Sequence, residues 1–285
     1  PGIIADLYGD VLSLQVSAAG WYRHIDKVAA VFRKVRKLSA IVLRNETKHL
    51  EKEGIPKEVK PLFGEMPKEL IKIKMGSIYE LVDIEKGQKT GAYLDVRGVP
   101  DMISPLFKGA RVLDCFSYQG HFGLHALASG ASEVVAIEQS QSAIDIAQKN
   151  LEINHLPKKM EWKCGNAFDI MRRMDSDRER FDLVVMDPPP FSPAKGQVGS
   201  ARRGYKELAV RGFNRIKDGG HMVFLSCSHA FSREMLLSVL NDAATDACVS
   251  CRIALEIHQP FDHPALSSVP ETDYLKGFVL GVRDQ

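Results

Sequence analysis

Cys227, a cysteine with polar neighbours, is the residue of this chain best suited to covalent chemistry. It follows an apolar run that predicts a strand, and Ser226, Ser228 and His229 surround it. Most cysteines are small buried hydrophobes, but a nearby imidazole favours the thiolate, which is the reactive form. We therefore expect Cys227 to be a nucleophile at the end of a strand.

A proline run follows another predicted strand, with Asp187 first, then Pro188, Pro189 and Pro190, and Phe191 last. Consecutive prolines fix φ and remove N–H donors, so this loop is expected to be rigid, with its carbonyls exposed. Such a loop can hold the edge of a planar base while an aromatic ring packs nearby. A thiolate beside it has one clear use, because carbon 5 of cytosine is unreactive until a nucleophile adds at carbon 6.

A cofactor crevice is predicted at the ends of three earlier strands. Asp114 ends the first strand, before a turn with Gly120 and Gly123, and Glu138 ends the second. The turn lacks the GxGxxG pattern of a dinucleotide site, and a carboxylate at the second strand end suits ribose hydroxyls. These features favour a nucleoside that carries positive charge, S-adenosylmethionine. Asn166, after the third strand, could bind the adenine edge, with Phe168 packing on its ring, although each residue alone could also be a helix cap or a packing residue.

Regular alternation of strands and helices must position these residues. From about residue 86, five strand-like runs alternate with amphipathic helical patterns, which predicts a parallel sheet covered on both faces. Two further strands without a helix between them predict an antiparallel edge. Residues 1–85 predict a small α/β domain with a hairpin, one helix over Trp21–Lys37 and further strands at 39–43 and 78–84, separated by a polar, Pro-punctuated segment at 45–75. The chain is therefore expected to be α/β, with two domains at 1–85 and 86–285.

Composition narrows the class of protein further. The 285 residues include 38 Lys+Arg and 36 Asp+Glu, a net charge of +2, and 45% are hydrophobic. This excludes disorder and coiled coil, and no apolar stretch is long enough for a membrane helix. Five cysteines argue against a disulfide framework and for a reducing cytoplasm. The start has no basic region of a secretory signal and no Met, so we expect a segment to be missing upstream.

Several motifs in the same order resemble the RlmI-like family of S-adenosylmethionine-dependent 23S rRNA (cytosine-5-)-methyltransferases. The resemblance covers nearly the whole chain, and it rests on these segments: Gly87–Gly91, Tyr93–Arg97, Leu113–Gly123, Asp187–Phe191, Arg203–Glu207, Ser226–His229, Asp262–Pro264 and Pro270–Lys276. Relatives usually have Asp where this chain has Asn166, and a Thr- or Gly-rich loop where it has Tyr118, Gln119 and His121.

The resemblance implies a Rossmann-like class I methyltransferase sheet behind a small, RNA-contacting α/β domain. It also implies an RNA-binding PUA domain in front of residue 1, an RNA partner that is expected to be 23S rRNA, and a homodimer as one possible assembly. The implied roles are as follows: catalytic, Cys227 and Asp187; S-adenosylmethionine-binding, Asp114, Phe116, Ser117, Tyr118, Gly120, Glu138, Asn166, Ala167 and Asp187; substrate-binding, Pro188, Pro189, Phe191, Lys195, Arg203, Lys206 and His229. No metal and no membrane contact are expected, and His229 is a candidate for the proton-abstracting base.

Local charge favours RNA more than the net charge does. A single acid, Glu207, lies among seven basic residues that follow the proline loop, namely Lys195, Arg202, Arg203, Lys206, Arg211, Arg215 and Lys217. An RNA backbone would pass there, and the basic face of Trp21–Lys37 could add to this surface. Three alternatives stay open: a base N-methyltransferase that does not use the thiol, a non-catalytic RNA-binding relative, and, disfavoured by the absent GxGxxG, a nicotinamide dehydrogenase.

Overall fold

The computed structural model describes residues 2–176, 179–191, 198–229 and 231–284. Close contacts between Cα atoms divide the chain into two compact units. The first consists of Pro1–Met75 with Tyr79–Leu94, and the second of Gly76–Ile78 with Asp95–Gln285. Among the described residues, no helix is long and apolar enough to span a bilayer. The first unit thus includes residues 86–94, which we expected in the second domain, and the roles assigned to the two domains stay predictions.

The first unit is built on a four-stranded sheet in the order β1-β2-β3-β4. Its helices and strands are β1 (Ile3–Tyr8), β2 (Val11–Val16), α1 (Ala19–Tyr22), α2 (Ile25–Val35), β3 (Ala40–Asn45), β4 (Glu58–Phe63), β5 (Ile71–Met75) and β6 (Ile78–Val82). The apolar side of α2 packs on one sheet face through Ile25 and Ala29, where Leu14 and Leu43 are fully buried. β5 and β6 form a separate two-stranded sheet.

One expectation for this unit is wrong, and the unit also contains elements that were not predicted. The single helix over Trp21–Lys37 is two helices, because a tight turn, in which His24 N donates to Trp21 O at 3.0 Å, ends α1. The polar stretch at 45–75 contains β4, β5 and a 3₁₀ helix at Lys48–Glu53. Pro61 lies within β4, and an edge strand tolerates a proline because it needs fewer N–H donors. β4 was not predicted because proline and charged residues are uncommon in strands.

The second unit is a seven-stranded sheet in the order β12-β13-β11-β10-β7-β8-β9. After α3 (Val99–Met102), its elements are β7 (Arg111–Cys115), α4 (His121–Ala128), β8 (Glu133–Glu138), α5 (Gln141–Ile153), β9 (Met160–Cys164), α6 (Ala167–Arg173), β10 (Phe181–Met186), α7 (Val198–Phe213), β11 (Ile216–Ser226), α8 (Arg233–Asp246), β12 (Val249–His258) and β13 (Lys276–Asp284). Strands β7 to β11 are parallel to one another. β13 runs antiparallel to both of its neighbours, β11 and the edge strand β12. The expected Rossmann-like sheet with an antiparallel edge is confirmed.

Both faces of this sheet are buried, as a parallel sheet requires. On β10, Val184 and Met186 pack on one side with buried residues of α6, α7 and α8. Leu183 and Val185 point to the other side and pack with residues of α3 and α4. Because the five central strands are parallel, their carboxyl ends meet at one edge, and the predicted site residues follow these ends.

Candidate active site

Asp114 lies at the carboxyl end of β7 and is almost completely buried, with 1% of its surface exposed. Its Oδ2 accepts a hydrogen bond from Gly123 N at 2.9 Å. A Cβ atom at Gly123 would lie 2.5 Å from Met160 Cε, 3.1 Å from Val134 Cγ1 and 3.2 Å from Asp114 Oδ2, so a larger residue here would require these side chains to move. Burial raises the pKa of Asp114 to about 7, against the lowering effect of the Gly123 hydrogen bond and of His121.

The turn between β7 and α4 has an unusual backbone. Phe116 and Tyr118 have φ values of 64° and 48°, in the left-handed region, and Gly120 has a φ of 84°. For residues other than glycine this conformation costs on the order of 1 kcal/mol and is concentrated at functional sites. Ser117 N donates to Ile137 O at 3.0 Å, which ties the turn to β8. The turn is thereby held in a shape that its sequence does not favour locally.

Glu138 ends β8 and is held by two backbone donors. Its Oε2 accepts from Tyr118 N at 2.9 Å, and its Oε1 accepts from Ser140 N at 2.8 Å. The carboxylate is half-buried, and each oxygen has a further lone pair. This orientation suits the acceptance of ligand hydroxyls at the edge of the sheet.

Asn166, expected at the adenine edge, is the N-cap of α6. Its Oδ1 accepts from Phe168 N at 2.9 Å and from Asp169 N at 3.4 Å, so its acceptor atom already has partners. The next residue, Ala167, is buried in the core. The capping role is clear from the structure, whereas an adenine contact by Asn166 stays a prediction.

The crevice has the donor and acceptor groups that an amino-acid nucleoside needs. Asp114 Oδ1 and Ser117 Oγ are buried and make no hydrogen bond within the described parts of the chain. Buried polar atoms of this kind are uncommon in proteins and call for an explanation such as a ligand. Beside them lies the oriented carboxylate of Glu138. The residues present therefore fit S-adenosylmethionine. The carboxyl group of Asp114 would face the cationic part of the cofactor, and the carboxylate of Glu138 would accept hydrogen bonds from its ribose hydroxyls.

The proline loop starts beside this crevice. Asp187 directly follows β10, and its N–H approaches Cys115 O of β7 at 3.5 Å. Pro188 is buried, whereas Pro189 is exposed. Phe191 is half-buried, and its ring centroid lies 4.7 Å from that of Tyr205, in an edge-to-face arrangement. An aromatic cluster thus anchors the far end of the loop.

Cys227 directly follows β11, the neighbour of β10 in the sheet, and is half-buried. The preceding residue, Ser226, is buried, and its Oγ lies 2.9 Å from Tyr205 Oη. Ser228 N donates to the same Oγ at 3.3 Å. Cys227 and Asp187 therefore follow adjacent strand ends, as the sequence predicts.

His229 is exposed and lies against the chain after β12. Its Nδ1 is 3.1 Å from Glu271 O, and its ring centroid is 5.4 Å from that of Tyr274. A carbonyl only accepts, so Nδ1 carries the proton in this hydrogen bond, and Nε2 is the basic nitrogen of the neutral ring. The tautomer is compatible with a general base, and that role for His229 stays a prediction.

Two residues at this site had no role assigned from the sequence. Tyr205 joins Phe191 to Ser226, although only the basic members of its motif were selected as candidates. Lys276 begins β13 and is buried, and it donates to Ser228 O and Phe231 O at 2.8 and 2.7 Å. A lysine within an apolar strand pattern was the signal that could have singled it out.

The expected basic surface after the proline loop is mostly neutralised. Within the described residues, its cations form ion pairs as follows: Arg202 with Asp242, Lys206 with Asp246, Arg211 with Asp175 and Glu207, Arg215 with Asp175, and Lys217 with Asp182. Arg203 is exposed, and Lys195 lies outside the described residues. The sequence count of one acid, Glu207, among seven bases therefore overstates the local positive charge, because Asp175, Asp182, Asp242 and Asp246 come from other elements. The substrate-binding roles of Arg203 and Lys206 stay predictions.

Solved structures with the same architecture show the type of fold that this chain has. The chain is similar to an S-adenosylmethionine-dependent methyltransferase from Streptococcus mutans, with a TM-score of 0.84 at 20% identity, over 98% of this chain and 71% of that one. It is also similar to the tRNA m1G37 methyltransferase of M. jannaschii, with a TM-score of 0.69 at 16% identity, over 100% of this chain and 77% of that one. The fold is the one that class I methyltransferases have, and the crevice described above fits S-adenosylmethionine.

Sequence comparison gives the family within this class. The chain is 35% identical to ribosomal RNA large subunit methyltransferase I of Aeromonas salmonicida (strain A449), over 99% of this chain and 72% of the relative. It is 36% identical to the protein of the same name from Escherichia coli (strain SMS-3-5 / SECEC), with the same coverage. The family model "Conserved hypothetical protein 95" matches residues 96–198. The chain belongs to the ribosomal RNA large subunit methyltransferase I family.

Proposed function

We propose that this protein forms 5-methylcytosine in 23S rRNA, with Cys227 as a covalent nucleophile. The observation that carries the proposal is the position of Cys227, half-buried and directly after β11, next to the strand that ends at Asp187. The names of the relatives support a ribosomal RNA substrate. A base N-methyltransferase has no need of a thiol at this place.

The chemistry follows from the reactivity of cytosine. The Cys227 thiolate adds to carbon 6 and forms a C–S bond, while Asp187 hydrogen-bonds to the ring nitrogen and protonates it. The addition makes carbon 5 nucleophilic, and S-adenosylmethionine supplies the methyl group. A base then removes the proton from carbon 5, the C–S bond breaks to release the thiolate, and the ring nitrogen returns its proton to Asp187. The target cytosine must be unpaired or flipped out to reach the proline loop.

An unpaired basic face of α2 is the RNA-contacting surface of the first unit in this proposal. Six exposed cations lie in and around this helix: Arg23, Lys27, Arg33, Lys34, Arg36 and Lys37. Among the described residues, none of them has an ion-pair partner within 4 Å, in contrast to the cations of α7. Exposed Trp21 adds an aromatic surface on which a base can stack. Exposed cations without an ion-pair partner suit a phosphate backbone.

Covalent trapping tests the proposed mechanism. RNA that carries 5-fluorocytidine cannot lose a proton from carbon 5, so the enzyme should remain bound as an adduct. Cys227→Ala should abolish the adduct, whereas Cys164→Ala and Cys248→Ala, which remove exposed cysteines elsewhere, should keep it. An adduct in Cys227→Ala would eliminate Cys227 as the nucleophile.

Two further outcomes separate the alternatives. Full methylation by Cys227→Ala would favour a guanine or adenine N-methyltransferase. Calorimetry that detects RNA binding but no S-adenosylmethionine binding would favour a non-catalytic RNA-binding protein. Mapping of methylated cytosines in RNA from strains with and without the gene would identify the modified position.

We also place the protein in the cytoplasm and propose a homodimer. All five cysteines are free thiols, which suits a reducing compartment. Light scattering tests the assembly, because the calculated chain mass is 31.7 kDa and a dimer has twice that mass.

A further inference from the structure

Lys276 is a buried lysine at the sheet edge that carries Cys227. Only 5% of its surface is exposed, and it pairs with Ser226 in the antiparallel ladder between β11 and β13. Lysine is almost never buried unless it is paired, because removal of an ammonium group from water costs several kcal/mol. Such a residue therefore needs a physical reason.

The ammonium group bonds to the loop that contains Cys227. Nζ donates to Ser228 O at 2.8 Å and to Phe231 O at 2.7 Å. Ser228 directly follows Cys227, and Phe231 N in turn approaches Ser228 O at 3.3 Å. One side chain of β13 thus holds two carbonyl groups of the segment that positions the thiol.

Carbonyl binding alone does not require a charge, because a neutral amide can donate to a carbonyl as well. Desolvation lowers the pKa of Lys276, and Asp273 and Cys227 oppose this shift, whereas Arg233 adds to it. An interaction between two charges is mutual, so an ammonium group that is stabilised by the Cys227 thiolate also stabilises that thiolate. Burial raises the pKa of Tyr205 of α7, and the negative charges of Cys227 and Asp187 raise it further. Tyr205 and Asp187 are both acids, so neither of them supplies positive charge to the thiol.

We propose that Lys276 is a positioning residue for Cys227, which fixes the loop after β11 and supplies the positive charge that favours the thiolate. The inference rests on the proposed function, in which Cys227 is the nucleophile. It assigns the activation of the thiol to a residue on β13, the antiparallel neighbour of β11, and not to the neighbouring histidine.

The pH dependence of Cys227 alkylation tests this role without RNA. The intact protein is treated with iodoacetamide between pH 6 and pH 10, and mass spectrometry follows the peptide that contains Cys227. Lys276→Gln keeps an N–H donor and loses the charge, so the midpoint of its profile should move up by about one pH unit. Its rate near pH 7.5 should fall about tenfold. Lys276→Arg keeps the charge and should keep the midpoint of the parent protein.

A control variant on the same strand separates positioning from stability. Val282→Ala truncates a buried side chain of β13 and should lower the melting temperature without moving the midpoint. A Lys276→Gln protein with the parent midpoint, or a folded Lys276→Arg protein whose midpoint moves as far as that of Gln, would overturn the inference. Failure of 5-fluorocytidine trapping in the parent protein would instead remove the proposed function and leave the alkylation result standing.

Discussion

The hydroxyl groups of Tyr205 and Ser226 lie 2.9 Å apart in the core of the second unit. This contact joins α7 to the end of β11, one residue before Cys227. The Tyr205 ring also packs against Phe191 of the proline loop and against Phe231. Tyr205 therefore links the two loops that the proposed reaction needs to keep in register.

Tyr205→Phe should weaken methyl transfer more than it weakens the fold. The Tyr205 hydroxyl is hydrogen-bonded to Ser226 and to the backbone of Phe191, and loss of each buried hydrogen bond costs about 1 kcal/mol of unfolding free energy. The Ser226 hydroxyl keeps its contact with Ser228 N. We expect kcat for RNA methylation to fall severalfold, as measured by transfer of labelled methyl groups. Tyr22→Phe makes the same chemical change at a Tyr–Glu58 contact in the first unit and is the matched control. Equal activity of the two variants would contradict this role for Tyr205.

Asp114→Asn should change how stability depends on pH. The pKa of Asp114 is about 7 in the folded protein and about 3.9 in the unfolded chain, so the folded state binds the proton more tightly. Its contribution to stability is therefore present below about pH 4 and is lost as pH rises to about 7, by at most about 4 kcal/mol. Asparagine resembles the protonated acid, so urea unfolding should show equal stability near pH 4 and a more stable variant at pH 8.

Asp182→Asn provides the opposite case on the same sheet. Burial would raise the pKa of Asp182, but hydrogen bonds from Arg111 N and Lys217 outweigh it and lower the pKa. This acid stabilises the fold above its unfolded pKa, and the contribution is lost as pH falls through the lowered value. The variant should be less stable than the parent at neutral pH. For the Asp114 prediction, the contradicting result would be plots of unfolding free energy against pH that run parallel for the parent protein and Asp114→Asn.

Glu138→Gln should weaken S-adenosylmethionine binding. The carboxylate is oriented by Tyr118 N and Ser140 N, and the amide group of glutamine replaces one acceptor with a donor. A hydrogen bond to a charged group contributes about 1.5–3 kcal/mol, so we expect Kd in calorimetry to rise at least about tenfold. Glu133→Gln, at the other end of β8 in an ion pair with Arg111, should leave Kd unchanged. An unaltered Kd for Glu138→Gln would place the ribose elsewhere.

Removal of charge from α2 should weaken RNA binding and its salt dependence. A variant with Lys34→Ala, Arg36→Ala and Lys37→Ala loses three exposed cations without ion-pair partners. The slope of log K against log salt should decrease by about two for single-stranded RNA. The comparison variant combines Arg202→Ala, Lys206→Ala and Lys217→Ala, whose ion-paired cations should matter less. A larger effect of the second variant would assign RNA binding to the surface formed by α7 and the start of β11.

Much of the second unit could be predicted from the sequence, because its signals are local. Each strand from β7 to β11 is a short apolar run, and a parallel sheet places the ends of such runs at one edge. That rule alone brings Asp114, Glu138, Asp187 and Cys227 to the same side. The sequence pattern did not predict β4, because this strand contains Pro61. A proline is tolerated there because β4 lies at the edge of its sheet, and position in a sheet is not a local property of the sequence.

Only the tertiary structure decided which charges and polar groups meet. Arg202 is neutralised by Asp242, which is 40 residues away, and Lys276 reaches the Cys227 loop across 48 residues. Asn166 is a helix cap because its side chain turns back to its own backbone. Residue types and spacing along the chain therefore predicted which groups could do the chemistry. Packing decided which of them keep their charge, their hydrogen bonds and their access to a partner, because those properties depend on neighbours that are distant in sequence.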